Sequence, residues 1–354
     1  MGTLADALRG GGAMNAFLSM TLLLLLYASP QEVEFVEEWS VRIPRFNESS
    51  VLRSFMGGDG QLYLYEVQLT RGLLTGPGRL VVISPQGRVV RTLESPFFSS
   101  LAIAVDRRGH IYLWQMEGNR SRIRIFSPEM APIRTIETPT LHPELLLVDD
   151  AGNIYAVGPH VHSGQEARFE HLDGTIVHVF AQDGREIAAF GSWDASLPLD
   201  RRVRAMSRSL LALSRGRLLL YLNRPVPPDR FVSPLHIFTF DGDAPRVEAT
   251  FDLRTLPAPA RAARSEVQRS LLSESDFVDG VGIWHDRVAV NIMRRTPAGT
   301  FQSLVVLISP SGQMVEVPVP APGRGRLIGV DPQGNFYFEY RPSGRIVKAR
   351  LVER

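Results

Sequence analysis

Through most of the chain, apolar and polar positions alternate in short runs. The runs are separated by small clusters of Asp, Gly, Pro and Ser. A period of two belongs to strands with one face against a core, because successive side chains leave a strand on opposite sides. The pattern therefore predicts a chain built almost wholly of strands and tight turns.

One phrase recurs: apolar-x-apolar, a short turn ending in Gly, then one residue followed by apolar–aromatic–apolar. It reads AVDRRGHIYL from Ala104 to Leu113, LVDDAGNIYA from Leu147 to Ala156 and GVDPQGNFYF from Gly329 to Phe338. A variant from Met56 to Leu64, MGGDGQLYL, lacks the first Asp. Two degenerate copies, ALSRGRLLL from Ala212 and GIWHDRVAV from Gly282, follow the same logic. Asp can accept hydrogen bonds from backbone just ahead of it, and Gly tolerates the positive φ of a chain reversal. That local role accounts for these carboxylates without any metal.

Each phrase is followed by a second strand–turn–strand unit, at 80–93, 123–136, 176–190, 235–251 and 304–319. Four strands per unit, recurring every roughly 45 to 70 residues, are the mark of propeller blades, since such a sheet cannot cover both its faces without neighbours. The fold class expected is all-β: a six-bladed β-propeller of four-stranded antiparallel blades, a single unit over 33–354. The last unit has only three strands of its own, ending at RIVKARL (345–351), while FVEEWSVRI (35–43) resembles the outer strands of other blades. Closure of the ring by the N-terminal strand is predicted, which removes exposed sheet edges.

Two insertions break the period. Residues 191–207 read as a polar, Arg-rich loop, and 254–276 (RTLPAPARAARSEVQRSLLSESD) as a short helical insertion packed on one end of the ring, from their Ala, Arg, Glu, Gln and Leu content. Ahead of the repeats, residues 1–30 form a leader around AFLSMTLLLLLYA (16–28). That run is shorter than the about 20 residues a membrane-spanning helix needs and has the length of an export signal. The expectation is an exported protein, periplasmic or extracellular, with attachment to the membrane only through 16–28 if the segment is left uncleaved.

Composition narrows the partners. The 39 Lys+Arg nearly balance 37 Asp+Glu, and the tightest basic cluster is Arg201, Arg202 and Arg204, so nucleic acid is not an expected partner. With no cysteine, disulfides, thiol nucleophiles and Cys-ligated zinc are excluded. No G-x-S-x-G, H-E-x-x-H or phosphate-gripping Gly loop is present, which removes support for serine hydrolase, zincin and nucleotide-binding chemistry.

The VDRRGHIYL, VDDAGNIYA and VDPQGNFYF phrases resemble the NHL-type and related six-bladed propeller repeats, strongly in three units. The resemblance speaks to fold rather than function, since relatives include binding modules, lactonases and lyases. Ligands of propellers bind where several blades converge, and by register the six inner strands begin near Glu48, Ser99, Glu144, Ser209, Asp276 and Arg326. Glu48, Glu144 and Asp276 could together hold a hard cation such as Ca2+, as channel acids do in the lactonases this chain resembles. Arg53, Arg208 and Arg326 could instead receive an anion. His160, His162 and His171 crowd one loop, where surface histidines are the plainer reading than a transition-metal site. The function expected is a non-catalytic binding or scaffold protein, a monomer, recognising a protein, peptide or glycan through loops on one face. A metal-dependent hydrolase or lyase is the alternative.

Overall fold

A computed structural model describes residues 33–43, 50–70, 73–95, 102–117, 120–138, 141, 143–158, 175–192, 210–214, 216–222, 224–226, 230–232, 234–241, 244–256, 271–272, 276–296, 298–320, 324–340 and 343–353. They form six four-stranded antiparallel sheets and one small hairpin, Arg224–Val226 with Arg230–Val232. Blade I is Ser50–Met56, Leu62–Thr70, Leu73–Ile83 and Val89–Ser95, and blade II is Ile103–Val105, Ile111–Glu117, Arg120–Phe126 and Pro132–Glu137. Blade III is Leu145–Val148, Ile154–Val157, Thr175–Phe180 and Glu186–Ser192; blade IV is Leu210–Ser214, Arg217–Tyr221, Pro234–Asp241 and Ala244–Asp252. Blade V is Phe277–Trp284, Arg287–Arg295, Phe301–Ile308 and Met314–Pro318. Blade VI takes Gly325–Val330, Asn335–Tyr340 and Arg345–Glu353 from the end of the chain and Val33–Arg42 from its beginning.

The core is divided among the blades. Each of six apolar clusters lies between two successive sheets: Tyr65 and Ile103 join I to II, Ala104 and Ile154 join II to III, and Tyr155 and Leu218 join III to IV. Leu219 and Val290 join IV to V, Leu307 and Phe336 join V to VI, and Leu64 and Tyr337 join VI back to I. Six interfaces for six sheets close a ring. The alternation seen in the sequence thus has two apolar faces per sheet, each given to a different neighbour. Where the first strands approach most closely, glycine is required: the Leu327 backbone of blade VI leaves no space for a Cβ at Gly280 of blade V.

The ring is sealed as expected. Val33–Arg42 pairs antiparallel with Arg345–Glu353, from Val33 opposite Glu353 to Arg42 opposite Arg345, with a bulge at Glu38. Phe35 meets Phe336 and Phe338 edge-on at 4.8 and 5.2 Å, and Trp39 stands against Tyr337 while its indole N–H donates to the Pro85 carbonyl of blade I at 2.9 Å. Arg345 reaches Glu37 at 2.7 Å. Lys348, the only lysine in the chain, is 9% exposed, with its ammonium 2.9 Å from Glu38 and 3.4 Å from the Pro85 carbonyl.

The recurring turns act as expected from their residues. In blade VI, Asp331 Oδ1 accepts from the Gln333 and Asn335 amides, and Oδ2 accepts from Asn335 Nδ2 and the Tyr337 hydroxyl. Asp106 and Asp149 hold Tyr112 and Tyr155 in the same way, and Gly109, Gly152 and Gly334 take positive φ. The variant in blade I solves the same problem from another position. Gly57 stands where the other turns have Asp, and Asp59 swings its carboxylate into that place, 2.6 Å from the Tyr63 hydroxyl; a Cβ at Gly57 would collide with both side chains. In blade II the outer turn carries Met130 at φ 67 where the corresponding turns have Gly87, Gly184 and Gly312.

Burial first, and the adjacent carboxylate second, push the phenols of Tyr63, Tyr112, Tyr155 and Tyr337 well above their ordinary range. Tyrosines of the unfolded chain ionise near pH of about 10. Stability from the four protonated phenols is therefore complete below that pH and is lost progressively as pH climbs above it toward the raised folded-state range. The slope is about 1.4 kcal/mol per pH unit for each phenol ionised only after unfolding. Tyrosinate absorbance from these four should consequently emerge together with loss of circular dichroism. Ionisation of all tyrosines ahead of unfolding would contradict the arrangement.

The helix expected within 254–276 falls mostly outside the described residues. Residues 253–256 form a turn after the outer strand of blade IV, and no helix occurs among the described residues. The loop expected at 191–207 is described only for Gly191 and Ser192, which finish the outer strand of blade III. Residues 1–32 also lie outside the description.

Candidate functional site

The first strands of adjacent blades pack on one another around the ring, and Gly58 donates from its amide to the Val105 carbonyl at 2.8 Å where blade I meets blade II. These strands run in one sense, so their beginnings surround one end of the central opening and the Asp-bearing turns surround the other.

At the entry end, charge is arranged in pairs. Arg53 of blade I passes blade II to donate to the Glu144 carbonyl of blade III at 2.7 Å, with its other nitrogen 3.6 Å from the Glu144 carboxylate. Arg326 of blade VI donates to the Asp279 carbonyl of blade V at 3.3 Å and lies 3.9 Å from both the Asp279 and Glu339 carboxylates. Glu339, 1% exposed, also accepts from Ser54 of blade I at 2.9 Å. Beneath them Glu66 takes Arg79 at 2.6 Å, and the buried Asn291 accepts from the Leu327 amide and donates to the Leu304 carbonyl. Buried charges are retained only where paired in this manner.

The sequence-derived candidates are thus partly placed. Arg53 and Arg326 lie at the entry end, each with carboxylate company, and Arg208 lies outside the described residues. Glu144 directly precedes the first strand of blade III, as expected, and belongs to Arg53. Asp276 directly precedes the first strand of blade V and is buried there, accepting from the Arg295 amide at 3.3 Å and lying 3.7 Å from Arg294. Glu48 lies outside the described residues, as do Ser99, Ser209, His160, His162 and His171. Among the described residues no three His, Asp or Glu side chains gather in a way suited to a metal. Asp279, Glu339 and Ser54 escaped the reading from sequence. The one sign of Glu339 is a carboxylate inside the apolar run NFYFEY, on a strand flanked by partners on both sides.

At the turn end the opening widens into a cavity of about 460 Å³, within the range of small-ligand sites. Met56, Val105, Val148, Leu213 and Val330 supply apolar wall, and the turns around Gly58, Arg107, Asp150, Ala151 and Pro332 form its lip. Five blades contribute. Arg107 and Asp150 bridge blades II and III at this lip, 2.6 Å apart.

No family model and no curated protein matches the chain. Solved structures do resemble it over most of its length. A gluconolactonase from Xanthomonas campestris is 11% identical, covering 92% of this chain and 99% of its own at a TM-score of 0.48. The β-propeller domain of the trilobed protease from Pyrococcus furiosus is 12% identical, covering 86% and 98% at 0.47. A putative oxidoreductase (glucose dehydrogenase) from Thermus thermophilus is 13% identical, covering 91% and 100% at 0.41. Likenesses of this size carry no functional argument. The chain is a six-bladed β-propeller on the count and pairing of its own sheets.

Proposed function

We propose that this chain is an exported, monomeric binding propeller of NHL type that recognises a protein, peptide or glycan through the face bearing its Asp turns. The observation that carries the reading is the cavity of about 460 Å³, walled by five blades and lipped by their turns. The state of the opposite end agrees with it, because Arg53, Arg326, Glu144 and Glu339 are engaged with one another. Rigid blades and the Asp anchors of the turns hold the lip, while its exposed side chains such as Arg107 and Asp150 can vary without disturbing the core. The NHL-type assignment draws on the three Asp–Asn/His–Tyr turns.

Two measurements test this. On peptide and glycan arrays, a bound partner should be lost on Ala151→Trp, which places an indole at the cavity lip; retention of every bound partner by that variant overturns the reading. In a thermal-shift series, Ca2+, Mg2+ and Zn2+ should leave the melting temperature unchanged. Glu144→Gln should cost about 1 kcal/mol or less, as for a half-exposed ion pair. Stabilisation by a divalent ion that Glu144→Gln abolishes would instead establish the metal-dependent enzyme.

A further inference from the structure

Beside the cavity, on the same face, a second cleft of about 430 Å³ runs between blades II and III. Its lining is rich in polar and charged groups: Asp106, Arg107, Arg108, His110 and Arg134 from blade II, and Asp149, Asp150 and the neutral Gln182 from blade III. The charges are not equally available. Asp106 is saturated by the Arg108 and His110 amides, the His110 ring and the Tyr112 hydroxyl. Asp149 is saturated likewise by the Asn153 amide, the Asn153 side chain and the Tyr155 hydroxyl. Asp150 holds Arg107 at 2.6 Å. Both side chains of that pair are about two-thirds exposed.

What remains with unused donors is a pair of guanidiniums. The guanidiniums of Arg108 and Arg134 are exposed and have no hydrogen bond or ion pair among the described residues. Arg134 sits across Ile125 from Tyr112 in the register of blade II, and Arg108 on the turn just before that strand lines the same cleft, so both belong to one locality. The carboxylates of the cleft already have donors, whereas these two guanidiniums lack acceptors among the described residues. An anion between them accepts from two planar forks, the geometry guanidinium offers to oxyanions.

We propose that the cleft between blades II and III is a binding site for a tetrahedral oxyanion, a sulfate or phosphate group, held by Arg108 and Arg134. The proposal rests on the binding reading of this face and adds the chemistry of what is bound. Gln182, on the blade III wall, supplies an amide suited to a neighbouring hydroxyl or carbonyl of the same ligand.

The test uses the full chain with inorganic sulfate, inorganic phosphate and acetate as probes, at ionic strength matched with sodium chloride. Sulfate and phosphate stabilise proteins generally by exclusion from their surface, so the readout is the difference between the wild type and Arg108→Gln/Arg134→Gln. Titration calorimetry should show saturable binding of sulfate or phosphate, weakened about tenfold or more in the double variant. Arg134→Lys, which keeps charge but loses the fork, should fall between, and Arg185→Gln on the exposed outer turn of blade III should leave binding unchanged. Acetate should bind more weakly than either tetrahedral ion. Equal affinity in the double variant, or stabilisation that chloride reproduces, overturns the site; so does preference for acetate. Loss of these outcomes while array binding still disappears in Ala151→Trp removes the oxyanion alone. Array binding indifferent to Ala151→Trp removes the broader reading.

Discussion

Deleting Val33–Ile43 leaves a chain that no longer unfolds as one cooperative ring. The deletion strips the outer strand from blade VI, exposes the edge of Arg345–Glu353 and removes Phe35 and Trp39 from their aromatic partners. Loss of one such partly buried ring alone costs about 2–3 kcal/mol. The total stability of a domain is only about 5–15 kcal/mol, so the whole strand accounts for much of it. Phe35→Ala should therefore shift the urea midpoint by an amount equivalent to about 2–3 kcal/mol, and the deletion should abolish the sigmoidal transition. A truncated chain melting at the wild-type temperature would mean that the seam is ornamental.

The second large effect belongs to Asp331. Its carboxylate accepts four hydrogen bonds in a site 5% exposed, and Asp331→Ala leaves two amides, a carboxamide and a phenol to find other partners. With about 1.5–3 kcal/mol for each bond to a charged group, offset where turn amides recover water, a loss of about 3–5 kcal/mol is expected in chemical denaturation. Asp331→Asn keeps an acceptor for the amides and should lose about half as much. A shift below about 1 kcal/mol for the alanine variant would show that the turn holds without its carboxylate.

Those two sites also mark what could be read from the chain alone. The Asp turns were legible because every partner of Asp331 lies within six residues of it, so local chemistry determines the geometry. Ring closure was legible because FVEEWSVRI repeats the pattern of an outer strand that the last unit lacks. The exchange of Asp59 for the missing Asp at Gly57 was hidden, since only the folded turn shows both reaching the same point beside Tyr63. The entry end was the least legible. Arg53 and Glu144 are 91 positions apart, and Ser54 and Glu339 285, contacts created by the curvature of the ring and not by any local motif. Their residue types were visible as candidates for an anion or cation, but which charges satisfy one another depends on where six sheets place them. The availability of Arg108 and Arg134 was hidden for the converse reason: neighbouring Arg107 looks identical in sequence and is spoken for by Asp150.

Lys348 gives the seam a chemical signature. Apart from the chain's starting amine, its ammonium is the molecule's sole primary amine, and it is sheltered by Glu38 and the Pro85 carbonyl. An amine-selective acylating reagent meets no other side-chain amine, so the rate at which mass is added at this position reports how often the first strand lifts from the last.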